Sequence, residues 1–361
     1  MEGNHIYIIA EAGVNHNGSL ETAKELIRVA AAAGADAVKF QTFKAEELVN
    51  KHAQKAEYQQ KTTGAEESQY KMLKRLEMNE DMHNILVEYC NTCGIKFLST
   101  PFDEYSLNML IKKYDIPYIK IPSGEITNAP FLLQIARTGK RVILSTGMST
   151  LGEIETALQV LAFGYVDNNS NPSLQNFEQA YISEAGQAAL QQKVKLLHCT
   201  TEYPAPLQEV NLRVLDTLRS AFNLPVGYSD HTQGIVVPIA AAARGAVLIE
   251  KHFTLDRELP GPDHKASIEP DELRDMVSAV RDVEAALGNS LKLPTISEYK
   301  NKKVARKSLV AIEEIVAGEV FTEKNIGIKR PADGISPLYY WDWLGKVADR
   351  DYSKDEKIQY E

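Results

Sequence analysis

Short runs of aliphatic and β-branched residues alternate along most of this chain with longer stretches whose apolar positions recur at helical spacing. The runs at residues 6–9, 37–40, 96–98, 118–121, 142–144, 195–197, 226–228 and 247–249 read as buried strands. Between the first two, residues 20–33 set Ala23, Leu26, Ile27, Ala30 and Ala31 on one face and stop at Gly34, as an amphipathic helix does. Stretches 80–93, 103–113, 129–138, 151–163, 212–222, 236–244 and 270–287 repeat that pattern. Strand and helix in strict alternation predict a parallel sheet, and eight such units within residues 1–288 suit an α/β fold of the (β/α)8 TIM-barrel type. Segments 44–79, rich in Gln, Lys and Glu, and 164–192, rich in Asn and Ser, are predicted insertions. A doubly wound sheet is the competing architecture, but no Gly-rich phosphate fingerprint follows the first run.

The pattern changes after Gly288. Residues 289–303, with Pro294 and several lysines, read as a polar linker. Residues 304–361 form a small module with a strand at 308–311, a turn at 316–319 and short extended or helical pieces at 320–328. So few residues bury little surface on themselves, so the module is expected to lean on another surface.

Hydrophobic residues at 44% and charged residues at 25% place the 361-residue chain among globular proteins and exclude a disordered or fibrous one. Forty basic against 49 acidic residues, a net charge of −9, argues against a nucleic-acid binder. An anionic substrate remains compatible, because a few local cations can dominate a cleft. No apolar run approaches the roughly 20 residues that span a bilayer. No basic region precedes the first apolar stretch, and three cysteines are too few for a disulfide framework. These features predict a soluble cytoplasmic protein.

The chemistry of such a barrel collects where strands end. Here polar residues gather at every one of those points: Glu11, Asn15 and His16; Lys39 and Gln41; Ser99 and Thr100; Lys120, Ser123 and Glu125; Ser145 and Thr146; His198 and residues 200–203; Ser229, Asp230 and His231; Lys251 and His252. One crowded polar pocket is the expectation. Either His231 or His252 alone reads as a structural histidine, but at the ends of adjacent strands the pair reads as ligands for Mn²⁺, Fe²⁺ or Zn²⁺. Lys39 and Lys120, with the hydroxyls of Thr100, Ser123 and Ser229, can hold a phosphate and a carboxylate together. The same lysines could instead pair with Glu11 or Glu125, or Lys39, Lys120 or Lys251 could form a Schiff base as in a metal-free aldolase. Glu11 and Glu125 read either as general acid–base groups or as counter-ions. Cys199 is expected to point into the wall, Cys90 and Cys93 to pack, His16 to shape a turn, and residues 51–61 to form a solvated loop.

The same positions carry a resemblance. Glu11-Ala-Gly-Val-Asn-His-Asn-Gly18, Lys39-Phe-Gln-Thr42, Ser99-Thr-Pro-Phe102 and Lys120-Ile-Pro-Ser-Gly-Glu125 resemble the sialic acid synthase family. So do Ser145-Thr-Gly-Met148, His198-Cys-Thr-Thr-Glu-Tyr-Pro204, Gly227-Tyr-Ser-Asp-His231, Glu250-Lys-His-Phe253 and Gly261-Pro-Asp263, in order along the chain. Arg306-Lys-Ser-Leu309 and Lys329-Arg-Pro331 resemble the family's antifreeze-like (SAF) domain.

The resemblance implies condensation of phosphoenolpyruvate with an N-acylated hexosamine to give a nine-carbon 2-keto acid, with phosphate leaving by C–O cleavage. The implied cofactor is Mn²⁺, with Mg²⁺ or Co²⁺ as alternatives, on His231 and His252. Lys39, Thr100, Lys120, Ser123 and Ser229 would hold phosphoenolpyruvate, with Thr201 as a weaker contact because some members carry asparagine there. Gln41, Tyr203 and Asp263 would hold the sugar, while Glu11 and Glu125 position its hydroxyls and the attacking water. The family also implies a domain-swapped homodimer in which Arg330 reaches the sugar's acyl group in the partner's barrel. The acceptor is either N-acetylmannosamine, giving N-acetylneuraminate, or 2,4-diacetamido-2,4,6-trideoxymannose, giving N,N′-diacetyllegionaminate. Residues 11–18 and 200–206 look more like the second branch, and 53–62 like both. A non-catalytic ice- or carbohydrate-binding role is suggested by the tail alone, which lacks a threonine repeat.

Overall fold

Each apolar run becomes a strand, and each is longer at its C-terminal end or bounded there by a tight turn. The strands are β1 (Tyr7–Gly13), β2 (Ala37–Thr42), β3 (Lys96–Pro101), β4 (Ile119–Ile121), β5 (Val142–Ser145), β6 (Val194–His198), β7 (Val226–Asp230) and β8 (Leu248–His252). This computed structural model describes residues 5–56, 59–60, 67–167 and 169–359. All ladders in the eight-stranded sheet are parallel, in the order β3-β2-β1-β8-β7-β6-β5-β4. β3 and β4 come together at the closure, giving the (β/α)8 barrel.

Helix starts follow local chemistry. The Ser19 hydroxyl accepts from Thr22 N before helix Leu20–Ala32, the Asn79 side chain caps Glu80–Cys93, and Thr150 and Glu153 form a capping box on Leu151–Val166. The buried faces of these helices pack on the outward-facing strand residues as one large core.

Both insertions hold helices. Residues 164–192 fold largely into Leu174–Ile182 and Glu184–Lys193, with Phe177 edge-on to Phe163 at 5.2 Å. Residues 44–79 hold Ala45–Leu48 and Gln69–Leu76, whose Met72 and Leu76 join Val14 and Phe43 in a separate apolar cluster. The loop expected at 51–61 is exposed at Lys51, His52, Gln54 and Ala56, but Lys55 is buried and pairs with Glu67 at 3.5 Å. Residues 57, 58 and 61 of that stretch lie outside the described residues.

The chain divides at Gly288/Asn289 into two units. The second unit carries helix Ile296–Ala305, where a linker was expected, started by a Thr295–Glu298 capping box. β9 (Ser308–Ala311) then pairs antiparallel with β10 (Ile326–Lys329). Leu309, Ile315, Phe321, Ile326, Trp343, Tyr352 and Ile358 give this unit a core of its own. Among the described residues, no helix is long and apolar enough to cross a membrane.

Candidate active site

Strand periodicity decides which polar residues meet. Ile9, Ala37, Leu98, Ile143, Leu197 and Leu248 form an apolar plug inside the barrel. Side chains alternate along a strand, so the residue two positions on faces the same interior, one level nearer the mouth. At that level stand Glu11, Lys39, Thr100, Ser145, Cys199 and Glu250, all lining one cavity of about 310 Å³. Gln41, Thr201 and His252 follow two positions further on, and Lys120, Ser123, Tyr203, Ser229, His231 and Asp263 also line it, as do Gln59 and Gln69.

The other polar strand ends face outward or into turns, which corrects the expectation of a single pocket holding them all. The Ser99 and Thr42 hydroxyls lie 2.6 Å apart, Thr146 donates to Leu197 O at 2.9 Å, and His198 donates to Val210 O at 2.7 Å. Lys251 is fully buried against Asp230 at 2.6 Å, away from the cavity, which withdraws it as a Schiff-base candidate. Asn15 donates to Phe253 O, and His16 accepts from Gly18 N at 2.9 Å, closing a turn as expected.

Two further expectations change. Glu125 does not line the cavity: on the 3-10 turn Ser123–Glu125 its carboxylate accepts from Asn128 at 2.7 Å. Cys199 does line it, with Sγ 3.3 Å from Ser123 Oγ, instead of pointing into the wall. Arg330 lies in the second unit, exposed, directly after β10. Gly147 has a steric reason to be glycine. A Cβ there would collide with Thr201 Oγ1 and approach Ser123 Oγ to 2.8 Å, where the Gly147 N–H donates.

Sequence reasoning overlooked Glu250, although it shares the parity of His252. It sits between the two lysines, 3.3 Å from Lys120 and 3.5 Å from Lys39, and accepts from Ser229 at 2.8 Å. Lys39 also contacts Glu11 at 2.5 Å and donates to Thr100 Oγ1 at 3.0 Å. Two carboxylates and two ammonium groups thus share a water-poor interior, where each charge survives only because the others are present.

Burial acts against ionisation of Glu250, but Lys120, Lys39 and the Ser229 hydroxyl hold it well below the usual carboxylate range. Burial pushes Glu11 up to about 7, against the pull of Lys39 and with help from Glu250. Burial also opposes the Lys39 charge, yet Glu11 and Glu250 outweigh it and raise the pKa. For Lys120 burial wins over Glu250, and the pKa falls. Burial raises Asp263 to about 6.

The two histidines have the chemistry of metal ligands. Their ring centroids are 5.5 Å apart, and the Tyr203 ring lies 4.1 Å from that of His231. His231 Nδ1 lies 2.6 Å from Thr200 O, and a carbonyl only accepts, so Nδ1 carries the proton and Nε2 keeps its lone pair. Burial lowers His231 to about 4 and, together with His231, sets His252 well below its ordinary value, so both rings are neutral at pH 7. His252 Nδ1 is buried with no hydrogen-bond partner. These donors fit a divalent cation that accepts imidazole nitrogen. Among the described residues no group of three His, Cys, Asp or Glu is placed to hold a metal ion.

Comparison with known proteins adds ancestry to this geometry. The chain matches the NeuB family over residues 26–292 and the SAF domain over residues 306–361. It is 49% identical over 352 residues to the N,N′-diacetyllegionaminic acid synthase of Campylobacter jejuni, covering 98% of each chain. The Legionella pneumophila protein of the same name is 46% identical over 355 residues, 98% of this chain and 94% of that one. Among solved structures, the N-acetylneuraminic acid (sialic acid) synthetase of Leptospira borgpetersenii, in complex with citrate, superposes with a TM-score of 0.66 at 34% identity. It covers 83% of this chain and 91% of that one.

Proposed function

The chain belongs to the NeuB family and carries a SAF domain, and from that premise we propose the reaction it performs. It condenses phosphoenolpyruvate with an N-acylated hexosamine to give a nonulosonic acid, and phosphate leaves by C–O cleavage. The acceptor is 2,4-diacetamido-2,4,6-trideoxymannose and the product N,N′-diacetyllegionaminate, as the names of the two bacterial synthases suggest. The observation that carries this reading is the cavity itself: Lys39 and Lys120 converge beside two neutral imidazoles.

Lys39 and Lys120, with the hydroxyls of Thr100, Ser123 and Ser229, bind the phosphate and carboxylate through charge-assisted hydrogen bonds, and Thr201 adds a lesser contact. Gln41, Tyr203 and Asp263 orient the sugar. C3 of phosphoenolpyruvate attacks the aldehyde carbon, and the carbonyl oxygen takes a proton. Water adds to the electron-poor C2 and gives one up, and the C2–O bond to phosphate then breaks. Glu11, with its pKa near 7, exchanges protons at the sugar hydroxyl or the water. The lysines stabilise the departing phosphate electrostatically.

A divalent cation on His231 and His252, Mn²⁺ with Mg²⁺ or Co²⁺ as alternatives, supplies Lewis-acid polarisation of the aldehyde when bound. The enzyme acts in the cytoplasm as a homodimer, in which Arg330 of one protomer binds the acyl group of the sugar in its partner. The Schiff-base alternative would need a neutral amine. Lys39 is held protonated, so Lys120 is the residue to probe by borohydride trapping with pyruvate. Phosphoenolpyruvate labelled with ¹⁸O at the bridging oxygen tests the bond cleaved. The label is expected in phosphate, and its retention in the keto acid would reject C–O cleavage.

A further inference from the structure

The cavity has two chemically different sides. Its barrel side carries the charged and imidazole groups already described. Its other side is largely apolar, built from the insertion after β2 together with Val14, Phe43 and Phe102 from the neighbouring strand ends. Val14, Phe43, Met72 and Leu76 form a cluster separate from the main core, and Leu48, Leu73 and Phe102 pack against it. Those last three are only half-buried, and all seven line the cavity. The cluster is distinct from both the helix-layer core and the apolar plug.

We infer that this wall selects the acceptor, receiving the end of the sugar remote from the aldehyde and favouring a C6 methyl over a C6 hydroxyl. The inference rests on the synthase reading. With the aldehyde carbon among the lysines and histidines, the far carbons of the chain extend away from the barrel ends toward the insertion. A hydroxyl pressed on Leu48 and Leu73 would lose its water and gain no partner from those side chains, whereas a methyl there loses nothing. A pocket of this kind discriminates by about 10- to 100-fold, the range for one methyl or one added hydroxyl.

The test compares kcat/KM for 2,4-diacetamido-2,4,6-trideoxymannose, its 6-hydroxy analogue and N-acetylmannosamine. The wild-type chain is expected to prefer the 6-deoxy sugar over its 6-hydroxy analogue by about 10-fold or more. Leu73→Asn and Leu48→Asn are expected to shrink that preference toward unity through the sugar KM, leaving the phosphoenolpyruvate KM unchanged. The comparison of the two sugars needs no variant, so a variant that fails to fold leaves the inference exposed to test. Equal turnover of both diacetamido sugars, or a preference that survives in both folded variants, would overturn the wall's role while leaving the synthase intact. Phosphate release with N-acetylmannosamine as the better substrate overturns it too. No release with any of the three rejects the synthase reading itself.

Discussion

Glu250 and Lys251 stand side by side in β8 and do opposite things. One places its carboxylate between the cavity's two lysines, and the other is fully buried against Asp230. Alternation along a strand is the whole cause. The same rule aligns Glu250 with His252 and Cys199 with Leu197, so both inward positions were legible in the sequence once Leu197 and His252 are taken as inward. Glu125 was not legible that way, because it sits on a 3-10 turn where a two-residue offset does not preserve direction. The two histidines give the sharpest prediction at this scale. His231→Ala and His252→Ala should each abolish metal-dependent phosphate release while leaving the melting temperature near that of the wild type. Wild-type turnover in either variant would refute the two-histidine site.

Whole elements were readable to different degrees. The eight β/α units announced themselves through periodicity, because each strand is buried on both faces and each helix on one. The apolar wall did not, because the polar composition of residues 44–79 masks the short helix that carries Met72 and Leu76. Helix Ile296–Ala305 was equally hidden by its lysines and Pro294, although Thr295 and Glu298 have the spacing of a capping box. The turn between β1 and helix Leu20–Ala32 makes a pH prediction. Its His16 is buried, packs its ring against Phe40, and is lowered to about 4 by burial. Between pH 6.5 and 4 the unfolded chain therefore takes up a proton that the folded chain refuses. Stability is complete above pH 6.5 and falls through that window, by roughly 3 kcal/mol from this one residue. Other buried histidines, His264 among them, share the window. Urea unfolding should show a smaller loss from pH 7.5 to pH 4.5 in His16→Asn than in the wild type, and equal losses would contradict the assignment.

At the scale of the whole molecule, the barrel holds the cavity's charged and imidazole groups, and the SAF unit has a core of its own with an exposed Arg330. The family and both domains were legible from ordered motifs. If Arg330 reaches the partner's sugar, Arg330→Ala should raise the sugar KM at least tenfold more than the phosphoenolpyruvate KM in steady-state kinetics; equal effects would reject that role. The central claim is sugar-dependent, metal-dependent consumption of phosphoenolpyruvate. Its most direct measurement is phosphate release from phosphoenolpyruvate by the full chain with 2,4-diacetamido-2,4,6-trideoxymannose, in Mn²⁺ or in EDTA. Release that requires both the sugar and the metal is the predicted result. Silence from folded, Mn²⁺-loaded protein, or release that ignores EDTA and proceeds through a borohydride-trappable lysine, would contradict it.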